Sequence, residues 1–181
     1  LTDDAEANLD LTAITPWAGF PFYGVTYSTL RVGDNGGLIF DGTRQLTWSN
    51  STLPSPSTLS PDVAVFWEDL RAYLGDVNYL YQPASDRLIV SWEEAPHYYN
   101  ANGPGVHVQV HLYGSGVMEF HYADLDFGNA SYNDAISATI GIQDYTGGTH
   151  NAGNALLLSF NGAGPAVPVA GSAFAISTCP D

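Results

Sequence analysis

His111, Glu119 and His121 come nearest, by type and spacing, to a set of side chains that could do chemistry. They lie in residues 106–122 (VHVQVHLYGSGVMEFHY), where polar and apolar residues alternate on both sides of a Gly-Ser-Gly break. If the two halves pair as a hairpin, His111 stands opposite Glu119, with His121 on the diagonal. Two imidazoles and a carboxylate within roughly 5–8 Å suit zinc or copper, whose preferred ligands are nitrogen and carboxylate oxygen. His107 is about 13 Å from His111 along the strand, too far to share that ion. The bland alternative is a solvated polar sheet face.

A second group of donors follows in residues 124–134 (DLDFGNASYND). Asp124, Asp126, Asn129, Asn133 and Asp134 offer hard oxygen atoms after a strand, which suits calcium, although the spacing is not that of an EF-hand. Asp- and Asn-rich turns also occur without any ion. The turn at Asp34 and Asn35 and the cluster Asp3, Asp4, Glu6 are lesser candidates. Tyr98, Tyr99, Asn100 and Asn102 form an aromatic, amide-rich loop that could stack on and hydrogen-bond a sugar.

Signals for catalysis are weak. Glu68-Asp69 and Glu93-Glu94 are adjacent carboxylates, and neighbours on a strand point to opposite faces. Gly114-Ser115-Gly116 joins two strands, whereas a nucleophile elbow joins a strand to a helix. There is no HExxH zinc motif and no phosphate-cradling glycine loop. The expected class is therefore not an enzyme, with no cofactor required and calcium possible. The one cysteine, Cys179, cannot form a disulfide within the chain, and an intermolecular partner is one reading of it.

The elements that would carry these residues are strands. Val106, Val108, Val110 and Leu112 share one face of the first run, and Met118, Phe120 and Tyr122 share one face of the second. A two-residue turn would mix the faces. A three-residue loop, 114–116, pairs Leu112 with Met118 and His111 with Glu119 and keeps both faces clean. Further short β-rich runs are expected near 26–32, 36–41, 45–48, 62–67, 76–82, 86–93, 136–144, 155–160 and 172–178. In residues 63–67 (VAVFW) the apolar run is continuous, as in a central strand buried on both faces. With 19 glycines and 11 prolines, and no helical periodicity, the expected fold is all-β, an antiparallel two-sheet β-sandwich of jelly-roll-like form.

The 181 residues are read as a single extracellular domain with an acidic arm or short edge strand at 1–10. Residues 49–61, rich in proline and serine, are expected to wrap the sandwich edge. Residues 161–171 look like a linker before a separable last strand. Four arginines, no lysine and 19 acidic residues give a net charge of −15. That charge repels phosphate backbones and anionic lipid, so nucleic acid is excluded as a partner. No apolar run is long enough for membrane insertion. The first residue is leucine and no apolar leader follows it, as expected of a processed protein or an excised domain.

Three blocks then carry a family resemblance. Residues 19–24 (GFPFYG) precede 30–40 (LRVGDNGGLIF); residues 61–70 read PDVAVFWEDL; residues 88–100 (LIVSWEEAPHYYN) lead through the hairpin to 138–143 (ATIGIQ). In this order they resemble bacterial secreted β-sandwich modules and the nidogen-type (NIDO) extracellular domain. The resemblance implies an extracellular or cell-surface, non-catalytic structural module of adhesive proteins. Its partner would be another protein or copies of itself, including assembly into a filament by strand exchange. The alternative is a carbohydrate-binding accessory module of a secreted enzyme or adhesin.

Overall fold

Two antiparallel sheets face one another in the computed structural model, which describes residues 1–40, 42, 44–145 and 149–177. The first has six strands, in spatial order β1 (Glu6–Asp10), β4 (Thr29–Gly33), β5 (Gly37–Ile39), β6 (Val63–Trp67), β11 (Thr139–Asp144) and β12 (Asn151–Phe160). The second has five, in order β13 (Ser172–Ser177), β10 (Val117–Asp124), β9 (Val106–Tyr113), β8 (Arg87–Ala95) and β7 (Asp76–Gln82). A small hairpin, β2 (Phe20–Phe22) with β3 (Val25–Tyr27), stands apart from both. The expected all-β, two-sheet sandwich is the fold observed.

The register of the central hairpin follows from its alternation. Met118 pairs with Leu112 and Glu119 with His111, across a loop in which Gly116 takes a φ of 90°. Val106, Val108, Val110, Leu112, Met118, Phe120 and Tyr122 face inward beside Leu88, Val90 and Trp92 of β8, all fully or almost fully buried. Burying each such side chain is worth about 1.5–3 kcal/mol, so this row is a large part of what holds the layers together. Two polar handles then lock one sheet onto the other. Trp92 Nε1 donates to Gly33 O at 2.9 Å, and Tyr122 Oη donates to Val65 O at 2.8 Å. Both donors would cost free energy if buried without these partners.

β6 is central and buried at all five positions, as its unbroken apolar run predicts. Its outer side needs a cover, and residues 44–61 supply one. Leu46 and Leu53 pack with Ile39, Ala64 and Trp67 in a second, smaller core. Trp67 Nε1 donates to Thr47 O at 2.7 Å, and Gln143 Oε1 accepts from Ser55 N at 2.7 Å. Two expectations are corrected here. Residues 45–48 form no strand, although Gln45 N and Thr47 N donate to Thr58 O and Leu59 O. Residues 49–61 lie across the outer face of the six-stranded sheet, because that face is too apolar to be left bare.

The run expected at 26–32 divides into β3 and β4. Residues 20–27 form a hairpin whose two-residue turn, Tyr23-Gly24, has positive φ at both positions, 45° and 77°. Within 1–10, residues 6–10 are an edge strand paired with β4 over five residues. Residues 161–171 cross from one sheet to the other and are tied down on the way, with Ala166 N donating to Leu158 O and Gly171 N to Tyr122 O. β13 pairs with β10 of its own chain over six residues.

Candidate functional site

The outer face of the five-stranded sheet is largely polar. Its rows are read from the pairing: Gln82, Arg87 and Tyr113; Leu80, Ile89, His111 and Glu119; Asn78, Ser91, Gln109 and His121; Asp76 and Glu93, with His107 beside them. Strand alternation puts every one of these on the side away from the core.

Within this face the three residues singled out by type and spacing do converge. One ligand atom of each of His111, Glu119 and His121 lies within 4.8 Å of the others, the one such group of three or more His, Cys, Asp or Glu side chains among the described residues. Glu119 Oε2 is 3.2 Å from His121 Nε2 and 3.7 Å from His111 Nδ1, and it accepts from Tyr113 Oη at 2.9 Å. The two imidazoles stack with centroids 4.0 Å apart.

Sequence reasoning missed the residues that orient them. Arg87 Nη1 lies 3.1 Å from His111 Nδ1, and a guanidinium can only donate, so Nδ1 is the acceptor. Nε2 must then carry the proton, which it donates to Gln109 Oε1 at 3.1 Å. Gln109 Nε2 continues to Glu93 Oε1 at 3.2 Å, and His107 Nδ1 is 2.8 Å from Glu93 Oε2. Burial, then the charges of His121 and Arg87, push the His111 pKa down to about 4. The Tyr113 hydrogen bond, aided by His121, holds Glu119 below the usual glutamate range despite some burial. Glu93 is also lowered: burial pushes it up, but the hydrogen bonds from His107, Gln109 and Ser91 outweigh that. The signal for Arg87 was its position, six residues before Glu93 on a strand that alternates with β9.

The other predicted donors are placed differently. Asp124 Oδ1 accepts from Asp126 N at 2.9 Å, Asp126 Oδ1 from Gly128 N at 2.7 Å and Asn133 Nδ2 at 2.6 Å, and Asn129 Oδ1 from Ser131 N at 3.0 Å. These oxygens build the loop's own turns, and Asp124, Asp126 and Asp134 do not converge on one point. Tyr98 and Tyr99 are exposed and meet edge to face with centroids 5.3 Å apart, while the Asn100 amide donates to Phe127 O and Asn102 is exposed. The Arg71 guanidinium lies 4.1 Å over the Tyr98 ring. Cys179 lies outside the described residues.

A further surface feature is the edge strand β7. Tyr79 and Leu80 are 53% and 57% exposed there, and Tyr73 and Leu74 just before it are exposed as well. A family model described as NIDO related matches residues 5–181. The chain belongs to the NIDO-related family. Comparison with curated proteins and with solved structures gives no match. The NIDO-related domain is a non-enzymatic type of module, in keeping with the all-β sandwich. In this NIDO-related chain the resembling blocks fall on the β2–β3 hairpin, on β4 with β5, on central β6, and on β8 to β11. Among the described residues no helix is long and apolar enough to cross a membrane.

Proposed function

We propose that this NIDO-related domain is a non-catalytic extracellular structural or adhesive module that joins to a second copy of itself by adding a strand to β7. The observation that supports the reading is the character of that edge. All seven residues of β7 pair in unbroken register with β8, so alternate backbone N–H and C=O groups on the far side remain without strand partners. In a chain of net charge −15, residues 72–82 (AYLGDVNYLYQ) carry one charge, Asp76. Two strongly acidic copies repel wherever their carboxylates meet, and a strip with a single carboxylate that exposes Tyr73, Leu74, Tyr79 and Leu80 is where contact costs least. β12, an edge of the six-stranded sheet, is interrupted twice by irregular register, a feature that discourages strand addition. β1 and β13 already pair within their own chain, which favours edge addition over exchange of terminal strands.

The test is sedimentation velocity across a concentration series, paired with electron microscopy. Wild-type chain should associate as concentration rises, and Leu80→Lys should shift it to monomer without altering its circular dichroism. A wild type that stays monomeric to about 1 mM, weaker than any interface of useful size, would refute the reading.

A further inference from the structure

We propose that His111, Glu119 and His121 bind a divalent transition-metal ion of the zinc or copper class. Zinc with nitrogen and carboxylate ligands at about 2.0–2.2 Å and tetrahedral angles needs those ligand atoms about 3.3 Å apart. Glu119 Oε2 stands 3.2 Å from His121 Nε2 and 3.7 Å from His111 Nδ1, so two of the three separations are already near that value. The third, between the imidazoles, is no more than 4.8 Å, and His121, about a third exposed, has room to adjust.

The surroundings have the form of a metal site's outer shell. A ligating imidazole is normally fixed by donating its second N–H to an oxygen, and His111 Nε2 does so to Gln109 Oε1. The same ring sets His111 Nδ1 3.7 Å from the Glu119 carboxylate oxygen. Tyr113 Oη holds the carboxylate from the other side at 2.9 Å. All of these residues stand on paired strands, which keeps their spacing rigid.

Arg87 is the competitor. Its Nη1 now donates to His111 Nδ1, a lone pair the ion would take, so metal entry requires that guanidinium nitrogen to swing aside. Its Nε stays anchored to Gln82 Oε1 at 2.8 Å, so the swing need not free the whole side chain. With three protein ligands, the fourth position opens to solvent on the bare sheet face. The three ligands stand on β9 and β10 and none on β7, so either proposal can fail without the other.

Isothermal titration of the full chain with zinc chloride tests this. One ion per chain should bind saturably. His121→Ala and Glu119→Gln, both on partly exposed side chains, should each weaken binding at least tenfold with unchanged circular dichroism. His107→Ala should leave it intact, and Arg87→Ala should bind as tightly as wild type or more so. Absence of saturable binding up to about 1 mM zinc, or equal binding by the His121 and Glu119 variants, would overturn the assignment.

Discussion

Asp34 should make this protein more stable in mild acid than in mild base. It lies in the tight turn between β4 and β5, 1% exposed, with Asp4 and Asp3 alongside and its Oδ2 without a hydrogen-bond partner. Burial first, then the charge of Asp4, raises its pKa from 3.8 to about 7, against the smaller pull of the Asp4 and Asn35 backbone N–H groups. An acid that ionises less readily when folded holds its proton more tightly in the native state. Its contribution is therefore complete below the unfolded pKa and is lost as pH rises through the folded one. Each pKa unit corresponds to about 1.4 kcal/mol, so roughly three units amount to a loss of about 4 kcal/mol between about pH 4 and pH 8. Asp34→Asn removes the titration. Its amide leaves a buried N–H in place of Oδ2, at a cost of about 1–3 kcal/mol that does not vary with pH. The difference between wild type and variant should thus swing by about 4 kcal/mol across the window, which is about 8–16 °C in Tm for a chain of this size. Asp69, raised to about 6 by burial first and by Asp4, Glu68 and Asp3 against the pull of His97, contributes in the same direction to both proteins and cancels. Urea unfolding followed by tryptophan fluorescence at several pH values measures the swing. Stability curves for the two proteins that run parallel within 1 kcal/mol, against that expected ~4 kcal/mol, would refute the reasoning.

Two further outcomes follow from packing. Arg44 and Asp62 form a buried ion pair, with Arg44 Nη1 donating to Ser60 O at 2.9 Å and its guanidinium 3.9 Å above the Tyr145 ring. Arg44→Met leaves the buried Asp62 carboxylate with the Phe40 N–H but without its guanidinium, and should cost about 3–5 kcal/mol in urea unfolding. Gly36 has a φ of 72°, and a Cβ there would collide with the Phe66 carbonyl oxygen, whereas Gly24, at 77°, has nothing within 4 Å. Gly36→Ala should abolish the thermal transition or lower it drastically, and Gly24→Ala should lose only about 1–2 kcal/mol by the same melt.

Legibility in the sequence tracked how local the determining contacts are. The β9–β10 register could be read because two alternating runs and a loop of countable length leave one arrangement with unmixed faces. That same register places His111, Glu119 and His121 together. Central β6 was legible because a continuous apolar run has few other uses. Residues 45–48 misled because Leu46 is apolar for the sake of a face formed with Ile39 by Ala64 and Trp67, which come some twenty residues later. The Tyr23-Gly24 turn was obscured because tyrosine rarely adopts positive φ, so only the glycine hinted at it. Arg87 and Gln109 escaped notice because their roles depend on strands lying side by side, and neither belongs to a motif of fixed spacing.

The position of β6 governs how the chain can fold. Its neighbour β11 pairs Ile142 with Val63, close to eighty residues downstream, and β10 waits fifty residues for β13, from Tyr122 to Ser172. Closing such distant partners must precede any gain from burying what they cover, and topologies rich in distant pairings fold slowly. The six-stranded sheet therefore has no middle until most of the polypeptide is available. Until then the Val63–Trp67 segment is a fully apolar run without shelter, the part of the nascent chain most in need of protection from premature sticking.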